Sequence, residues 1–353
     1  MSQSTLFKPS RRRFISSAAG LSALAVAAPL VITSRKAFGA GKLVLVSWGG
    51  SYRTAVENAL VKPFSQEMGV DVTVIDTPDL AKVKAQQMTG NIEWDVFDAP
   101  GALGTAGSKA GFWEPLDPQM AANSDLIVPM KKDLAPLYFF TGGIGWDPAR
   151  YPEGKHPRNF AEYFDVKKFP GKRTFRNRPS ETLEAALLAD GVPPNKLYPL
   201  DVDRAFKALD KVKPSVVKWV EQTPQSIALL QSKEADFSYV YASRVKTQTD
   251  GKYGFSFDQT LNGLEYFAVL KNAPNKANAM AFVAYSLRPD RQAAFMEILG
   301  NLPASRKAMP MLKEETRKWM PNMSSPNNAI LDDDWWANEF DTVSRRFKEW
   351  SLT

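Results

Sequence analysis

The sequence predicts an α/β protein built from two domains. Strand-like and helix-like segments alternate between residues 42 and 100 and again between residues 180 and 243. Such alternation is typical of a mostly parallel sheet with flanking helices. The chain has 353 residues, whereas a single domain usually has about 100–200 residues. Each alternation therefore indicates one α/β domain.

The first alternation starts with "KLVLVSW", whose β-branched residues predict a strand that ends at Gly49-Gly50. "SYRTAVENALVKPFSQEM" follows with apolar residues at near-helical spacing, and Ser51 is the predicted N-cap of this helix. "GVDVTVID" predicts a second strand, "LAKVKAQQMTGN" a helix and "WDVFDAPG" a third strand. Ligands of such sheets bind beyond the carboxyl ends of the strands, which here are residues 48–50 and 98–100.

The glycine pair after the first strand has two interpretations. Its backbone N–H groups can approach a polar or negative ligand group, and Trp48 beside it can stack on an alkyl chain or a cation. Alternatively, Trp48 simply packs in the core. A nucleotide-binding loop is disfavoured, because the pair lacks the Gly-x-x-x-x-Gly-Lys pattern and a third glycine at dinucleotide spacing.

The second alternation follows a segment rich in proline, glycine and basic residues that begins near residue 148. It contains the helix "SETLEAALLADG", the helix "DVDRAFKALDKVK", the strand "SVVKWV", the helix "TPQSIALLQSKE" and the strand "ADFSYVYAS". A further strand, "LNGLEYFAVLKNAPN", precedes two helices that divide at Leu287-Arg288-Pro289-Asp290, since proline is tolerated in the first turn of a helix.

The net charge of +7 comes mainly from the amino terminus. Residues 1–39 contain six of the 45 basic residues and none of the acids, so 39 basic and 38 acidic residues remain. This balance argues against a nucleic-acid partner, which needs a concentrated basic surface. Residues 1–39 also have the charged start, apolar stretch and small-residue exit of a signal peptide, and Ser10 to Ile15 resembles a twin-arginine export signal. Cleavage after Gly39 is predicted, with an uncleaved membrane anchor as the alternative.

Several catalytic classes have no support in the sequence. The chain has no cysteine and one histidine, which removes thiol catalysis and histidine–metal sites. His156 is not accompanied by a Gly-x-Ser-x-Gly motif, and we expect it to be an exposed loop residue. "DDDWW" (residues 332–336) is expected to be a solvated helix start with both tryptophans packed inward. We expect no cofactor and no metal.

Local runs beyond residue 40 carry a resemblance to a known family. They are "LVLVSWGGSY", "WDVFDAP", "GFWEPLD", "FTGGIGWDP", "FPGKRTF", "KEADFSYVY", "LEYFAVLKNAPNKANAMAFVAYSLRPD" and "GNLPASRKA". Together they resemble the spermidine/putrescine-binding branch of the periplasmic solute-binding proteins of ABC uptake transporters. The resemblance implies a type II-like fold of two lobes, each a mixed sheet flanked by helices, with crossover strands near residues 138–147 and 262–270. Lobe one would comprise 40–140 plus 264–353, and lobe two 141–263.

The resemblance also implies the activity and the partners. We expect a non-enzymatic periplasmic receptor that closes its lobes on a small-molecule ligand and delivers it to an inner-membrane ABC permease. No nucleic acid is expected, and a monomer is the usual state of the family. Two alternatives stay open: an exported enzyme on the same scaffold, and a ferric-ion receptor that uses Tyr239 and Tyr241.

The ligand site is carried over residue by residue from the resemblance. Trp48 takes an aromatic position beside the Gly49-Gly50 lip, and Glu181 and Glu265 take the positions of acids that hold an amine. The other predicted ligand-binding residues are Phe139, Gln225, Tyr239 and Tyr241.

Two arginines depart from the polyamine-binding pattern. Arg178 lies where a polyamine binder would have an aspartate, and Arg176 adds a second guanidinium nearby. If they face the cleft, they would bind a carboxylate or a phosphate; otherwise they are surface or hinge charges. A zwitterion such as an amino-acid conjugate or an opine would use the glutamates and the arginines together. A polyamine-like ligand and an organic acid stay open.

Overall fold

The computed structural model describes residues 41–352. The predicted signal peptide, with its twin-arginine motif and cleavage point, lies outside the described residues. The strands are β1 (Gly41–Ser47), β2 (Val70–Asp76), β3 (Val96–Pro100), β4 (Ala135–Trp146), β5 (Arg173–Arg176), β6 (Val216–Val220), β7 (Phe237–Tyr241), β8 (Gly254–Phe255), β9 (Leu261–Val269), β10 (Leu302–Pro303) and β11 (Ala329–Ile330).

The α-helices alternate with these strands in both halves of the chain. They are α1 (Ser51–Val56), α2 (Lys62–Met68), α3 (Leu80–Thr89), α4 (Gly101–Lys109), α5 (Phe160–Phe164), α6 (Pro179–Ala189), α7 (Val202–Val212), α8 (Thr223–Gln231), α9 (Ala242–Thr249), α10 (Lys276–Ser286), α11 (Pro289–Leu299), α12 (Glu314–Arg317) and α13 (Asp333–Ser351). A π-helical segment, Glu57–Val61, joins α1 to α2. None of the helices within residues 41–352 is both long enough and apolar enough to cross a membrane.

The strands form one mixed sheet in the order β2-β1-β3-β9-β4-β7-β5-β6. Two parallel groups, β2-β1-β3 and β7-β5-β6, lie at its ends. The antiparallel strands β9 and β4 lie between these groups and pair with each other over most of their length. The alternation read from the sequence is therefore confirmed in both halves, whereas the lobe boundaries stay a prediction.

The two central strands are buried on both faces, and their side-chain alternation decides what reaches the site. In the β4–β9 register Tyr138 lies opposite Glu265, and Phe139 lies opposite Leu264. Successive residues of a strand point to opposite faces of the sheet. Tyr138, Phe140 and Glu265 therefore share one face, while Phe139 and Leu264 share the other.

Three local expectations are corrected by the structure. Gly50, with a φ of 68°, is the N-cap of α1, so Ser51 is the first helical residue and its hydroxyl lies 2.8 Å from that of Thr247. The strand-to-helix turn needs a left-handed residue, and glycine adopts that conformation at little cost. His156 is buried and stacks on Trp146, with ring centroids 3.6 Å apart. The start of α13 is not wholly solvated, since Asp333 is buried and accepts a hydrogen bond from the Tyr266 hydroxyl at 2.8 Å.

Helix α4 approaches its neighbours closely through small residues. The indole of Trp113 lies against Gly107, where an added Cβ would come within 2.2 Å of a ring carbon. The same indole donates to the Gly104 carbonyl at 2.8 Å. At Gly104 an added Cβ would meet its nearest atom, a Leu134 methyl, at 3.3 Å, which is much less crowded.

These two glycines of one helix make a matched pair of substitutions. Gly107→Ala should destabilise the protein by about 1–3 kcal/mol, because the indole must move in a packed core. Gly104→Ala should change the stability by no more than about 1 kcal/mol, because the helix preference of alanine offsets the small displacement that the Leu134 methyl requires. Urea denaturation measures both, and equal losses in the two variants would contradict this account of the packing.

Candidate functional site

A cavity lies where the carboxyl ends of β1, β3, β5 and β7 meet the central strands. It contains about 420 Å³ of empty space, including its opening to solvent. Its lining combines aromatic, acidic and basic side chains: Trp48, Tyr52, Pro100, Tyr138, Phe140, Arg176, Arg178, Thr223, Tyr241, Ser243, Arg244, Glu265 and Asn301. Few cavities contain so many ionisable groups without a functional reason.

One buried carboxyl group, Glu265, lines this cavity, and a second, Asp98, is buried next to it outside the lining. Asp98 of β3 and Glu265 of β9 lie on the same face, because Pro100 is the register partner of Glu265 and shares its face with Asp98. The Ser47 hydroxyl donates to Asp98 at 2.7 Å, and the Trp48 indole N–H donates to Glu265 at 2.8 Å. The second oxygen of Asp98, Oδ1, has no hydrogen-bond partner within residues 41–352.

The two carboxyls, Asp98 and Glu265, form an acid pair whose pKa values are both raised. Burial raises the pKa of Asp98 to about 6, against the opposing effect of the Ser47 hydrogen bond. Burial and the charge of Asp98 raise the pKa of Glu265 well above its usual range. Neither carboxyl has an ion-pair partner among the described residues. Two interacting buried carboxyls do not both ionise readily, so the pair retains one proton near neutral pH.

Arg178 is held in the wall of the cavity by a buried carboxylate. Its guanidinium pairs with Glu181 and donates to the Tyr241 hydroxyl at 2.9 Å. The hydroxyls of Tyr239 and Tyr241 both donate to Glu181 at 2.8 Å. Burial alone would lower the pKa of Arg178, but the Glu181 charge outweighs it and raises the pKa above its usual range. Glu181 is thus fully hydrogen-bonded by the protein itself.

Two further arginines lack such a counter-charge. Arg176 is buried and donates to the Val220 carbonyl at 3.3 Å, while its Nε has no partner within the described residues. Burial lowers the pKa of Arg176 and lowers that of Arg244 to about 10. Arg244 donates to neutral groups, among them the Gly49 carbonyl at 3.1 Å and the Thr223 hydroxyl at 2.7 Å. Uncompensated buried cations of this kind favour an incoming anion.

The structure brings most of the predicted ligand-binding residues to one place. Trp48, Arg176, Arg178, Tyr241 and Glu265 line the cavity, and Glu181 and Tyr239 lie directly behind its wall. The Gly49-Gly50 lip contributes a carbonyl that accepts from Arg244.

Two predicted residues lie elsewhere. Phe139 points away from the cavity and borders a separate groove with Leu264, because it lies on the other face of β4. Its neighbour Phe140 lines the cavity in its place. Gln225 takes part in the capping box of α8, where its side chain accepts from the Gln222 N–H at 3.4 Å. Thr223 is the residue of that helix which reaches the cavity.

Several lining residues were not predicted from the sequence. Arg244 had a usable signal, because it lies just beyond the carboxyl end of a strand, where ligands of α/β sheets bind. Asp98, which is buried next to Glu265 outside the lining, had the same signal. No pattern in the sequence marked Tyr52, Tyr138 or Asn301 as residues of the site. Tyr138 donates to the Tyr52 hydroxyl at 2.9 Å, across 86 positions of sequence, and such a contact depends on tertiary folding.

Comparisons with known proteins agree with this geometry. The profile of the family described as bacterial extracellular solute-binding protein matches residues 59–320. A gamma-aminobutyric acid-binding protein of Pseudomonas aeruginosa is 30% identical over 323 residues, which cover 88% of this chain and 90% of that protein.

Solved structures give the same result. The binding protein AgtB of Agrobacterium tumefaciens, in complex with agropinic acid, superposes with a TM-score of 0.81 at 30% identity over 89% of this chain and 99% of that one. The Atu4243 GABA receptor superposes with a TM-score of 0.79 at 31% identity over 88% of this chain and 97% of that one. The two-lobe periplasmic-binding-protein fold predicted from the sequence is confirmed. The chain belongs to the bacterial extracellular solute-binding protein family.

Proposed function

We propose that this protein is the periplasmic solute-binding component of an ABC uptake transporter and that its ligand is a small zwitterion. One observation carries the choice of ligand. The cavity is lined by the buried carboxyl of Glu265, whose neighbour Asp98 is also buried, and by Arg176 and Arg244, two buried arginines without an anionic partner within the described residues. A ligand with an ammonium at one end and a carboxylate at the other compensates both sets.

The parts of such a ligand have distinct places. The ammonium lies at Glu265, the member of the acid pair that lines the cavity. The carboxylate lies at Arg176 and Arg244, with Arg178 beside them, because guanidinium groups bind carboxylates through several N–H donors. Trp48, Phe140 and Tyr241 pack against the stem between the two ends. The ligand of one relative, the gamma-aminobutyric acid-binding protein, is a zwitterion and supports this class.

A diamine fits the site less well. Its second ammonium would lie among buried guanidinium groups, and like charges in a desolvated site repel strongly. Glu181, which the resemblance assigned to an amine, already accepts three hydrogen bonds from Arg178, Tyr239 and Tyr241. The same contacts argue against iron binding by the two tyrosines, and residues 41–352 contain no cluster of acidic or histidine ligands suited to a metal.

The proposed role is capture and delivery without catalysis. The acid pair belongs to β3 and β9, whereas Arg176 and Arg244 belong to β5 and α9, so a zwitterion links the two halves of the sheet. Ligand contacts to both sides favour the closed form, which an inner-membrane permease recognises. We propose a monomer that binds no nucleic acid.

Arg176→Ala tests the carboxylate end of the site. Losing one partner of a buried charge pair costs about 2–5 kcal/mol, so the Kd for gamma-aminobutyric acid should rise about 30-fold or more. Binding of butylamine, which lacks the carboxylate, should not weaken. Isothermal titration on protein unfolded and refolded to remove carried solutes measures both, and Gln225→Ala is the control that should change neither. Tighter binding of putrescine than of any zwitterion by the parent protein would refute the proposed ligand class.

The affinity for amine ligands should depend on pH. An ammonium at the acid pair favours the ionised carboxyls, whose pKa values are raised in the free protein. Affinity for gamma-aminobutyric acid should therefore rise between about pH 5 and pH 8, by up to about tenfold per unit for each proton released. Titrations in buffers of different ionisation enthalpy count the protons released.

Asp98→Asn is the matched variant for this pH dependence. It should weaken amine binding and flatten the pH profile, because a neutral side chain replaces one carboxyl of the pair. Butyrate should show no comparable rise in affinity with pH in the parent protein. A profile that is equally steep in Asp98→Asn would assign the titration to other groups.

A further inference from the structure

One polar side chain of the candidate site is not explained by a zwitterion with a plain carbon stem. Asn301 is buried and lines the cavity. Its Oδ1 atom has no hydrogen-bond partner within residues 41–352. Leaving a buried amide unpaired is costly, so Asn301 indicates a polar group that the ligand itself brings to this wall.

We propose that the Asn301 amide hydrogen-bonds to a hydroxyl group on the stem of the ligand. The solute would then be a hydroxylated amino acid, with its hydroxyl between the ammonium and the carboxylate. This inference rests on the proposed function, because it adds one group to a zwitterion already placed between Glu265 and the arginines.

The register of the sheet explains how Asn301 reaches the cavity. Strand β10 pairs with β4 so that Leu302 lies opposite Phe139, and both residues border the separate groove on the other face. Asn301 precedes Leu302 and therefore points to the opposite face. Continued by one residue, the same register sets Asn301 opposite Phe140, which also lines the cavity. The amide thus lies beside an aromatic ring that packs against the stem of the proposed ligand.

The turn that carries Asn301 is fixed by contacts of its own. Gly300 ends α11 with a φ of 81°, a left-handed conformation that glycine adopts at little cost. The Lys246 ammonium donates to the Glu297 and Ile298 carbonyls at 2.8 and 2.7 Å and holds the end of this helix against α9. The pairing of β10 with β4 holds the other side of the turn. An amide presented in this way loses little freedom when a ligand binds.

Neighbouring hydroxyl groups of the lining do not pair with the amide, because they bond elsewhere. The Tyr138 hydroxyl donates to that of Tyr52 at 2.9 Å. The Thr223 hydroxyl accepts from Arg244 at 2.7 Å. Asn301 takes part in neither contact, so a bound ligand is the remaining source of a partner for its Oδ1.

The chemistry of an amide favours a hydroxyl over either charged end of the ligand. An amide is neutral and compensates no charge, whereas Glu265 receives the ammonium and two guanidinium groups receive the carboxylate. A side-chain amide presents an acceptor and a donor, and a hydroxyl both donates and accepts. A site that hydrogen-bonds to a ligand hydroxyl discriminates strongly against the analogue that lacks it, because the buried protein group is then left unpaired.

Four compounds test this contact: the two mirror images of 4-amino-2-hydroxybutyric acid and those of 4-amino-3-hydroxybutyric acid. They place a hydroxyl on each inner carbon of the gamma-aminobutyric acid stem. At least one of the four should bind the parent protein about tenfold or more tighter than gamma-aminobutyric acid. Its mirror image should bind about tenfold or more weaker than it does, because Asn301 approaches the stem from one side. Isothermal titration on protein unfolded and refolded to remove carried solutes measures these affinities.

Asn301→Leu removes the amide and keeps its approximate size. The preferred hydroxy compound should lose about tenfold or more in affinity, and its two mirror images should then bind within about twofold of each other. Binding of gamma-aminobutyric acid should not weaken. The free variant should unfold at a temperature no lower than the parent protein, because an apolar group replaces a buried unpaired amide. Asn301→Ala should abolish the preference in the same way.

Asn338→Leu is the control, because Asn338 is an exposed asparagine of α13. It should leave every affinity unchanged. Binding of gamma-aminobutyric acid with no hydroxy compound more than about twofold tighter would overturn the hydroxyl contact and leave the proposed function intact. Equal losses of gamma-aminobutyric acid and the hydroxy compounds in Asn301→Leu would also overturn it. No binding of any of these ligands by the parent protein would overturn the proposed function and the inference together.

Discussion

The cavity is defined by charges that the protein buries without pairing them. Transferring an ion from water into a protein interior costs several kcal/mol unless an opposite charge or several hydrogen bonds compensate it. Asp98 and Glu265 on one side, and Arg176 and Arg244 on the other, lack that opposite charge within the described residues. The protein lowers the cost by keeping a proton on the acids and by hydrogen-bonding Arg244 to neutral groups. Under the proposed function, a bound zwitterion supplies the remaining compensation.

Arg178, in contrast, is a buried charge that the protein pairs and fixes in position. Its guanidinium is neutralised by Glu181, and two tyrosine hydroxyls hold that carboxylate. Glu181 has a φ of 73°, which is rare for a residue other than glycine. A backbone conformation of this kind costs about 1–3 kcal/mol, so the surrounding contacts must maintain it. The Nε atoms of Arg176 and Arg178 both lack a partner among the described residues, so the two guanidiniums differ in their counter-charge and not in having a free donor.

Local patterns predicted the elements, and tertiary contacts decided the site. Strands such as β1 and β9 and helices such as α6 follow from spacing and composition, which act over a few residues. Phe139 was predicted to line the site, but Phe140 lines it instead. The sequence could not distinguish them, because both faces of β4 are buried and a continuous apolar strand does not reveal which face meets the cavity. The role of Glu181 likewise depended on Tyr239 and Tyr241, about 60 residues away. Asp98 could have been predicted from the sequence, since the carboxyl ends of the strands were already the expected place for ligands.

Under the proposed function, the distribution of charges would couple binding to lobe closure. The acid pair belongs to β3 and β9 and the unpaired arginines to β5 and α9, so a ligand held by only one of these sets leaves its other end uncompensated. A zwitterion would gain its full interaction only in the closed form, and this difference in affinity would shift the conformational equilibrium. A mono-charged solute would gain from one set alone and would shift the equilibrium less. Such a receptor would discriminate between solutes twice, once through the groups that contact the ligand and again through the closure that a permease recognises.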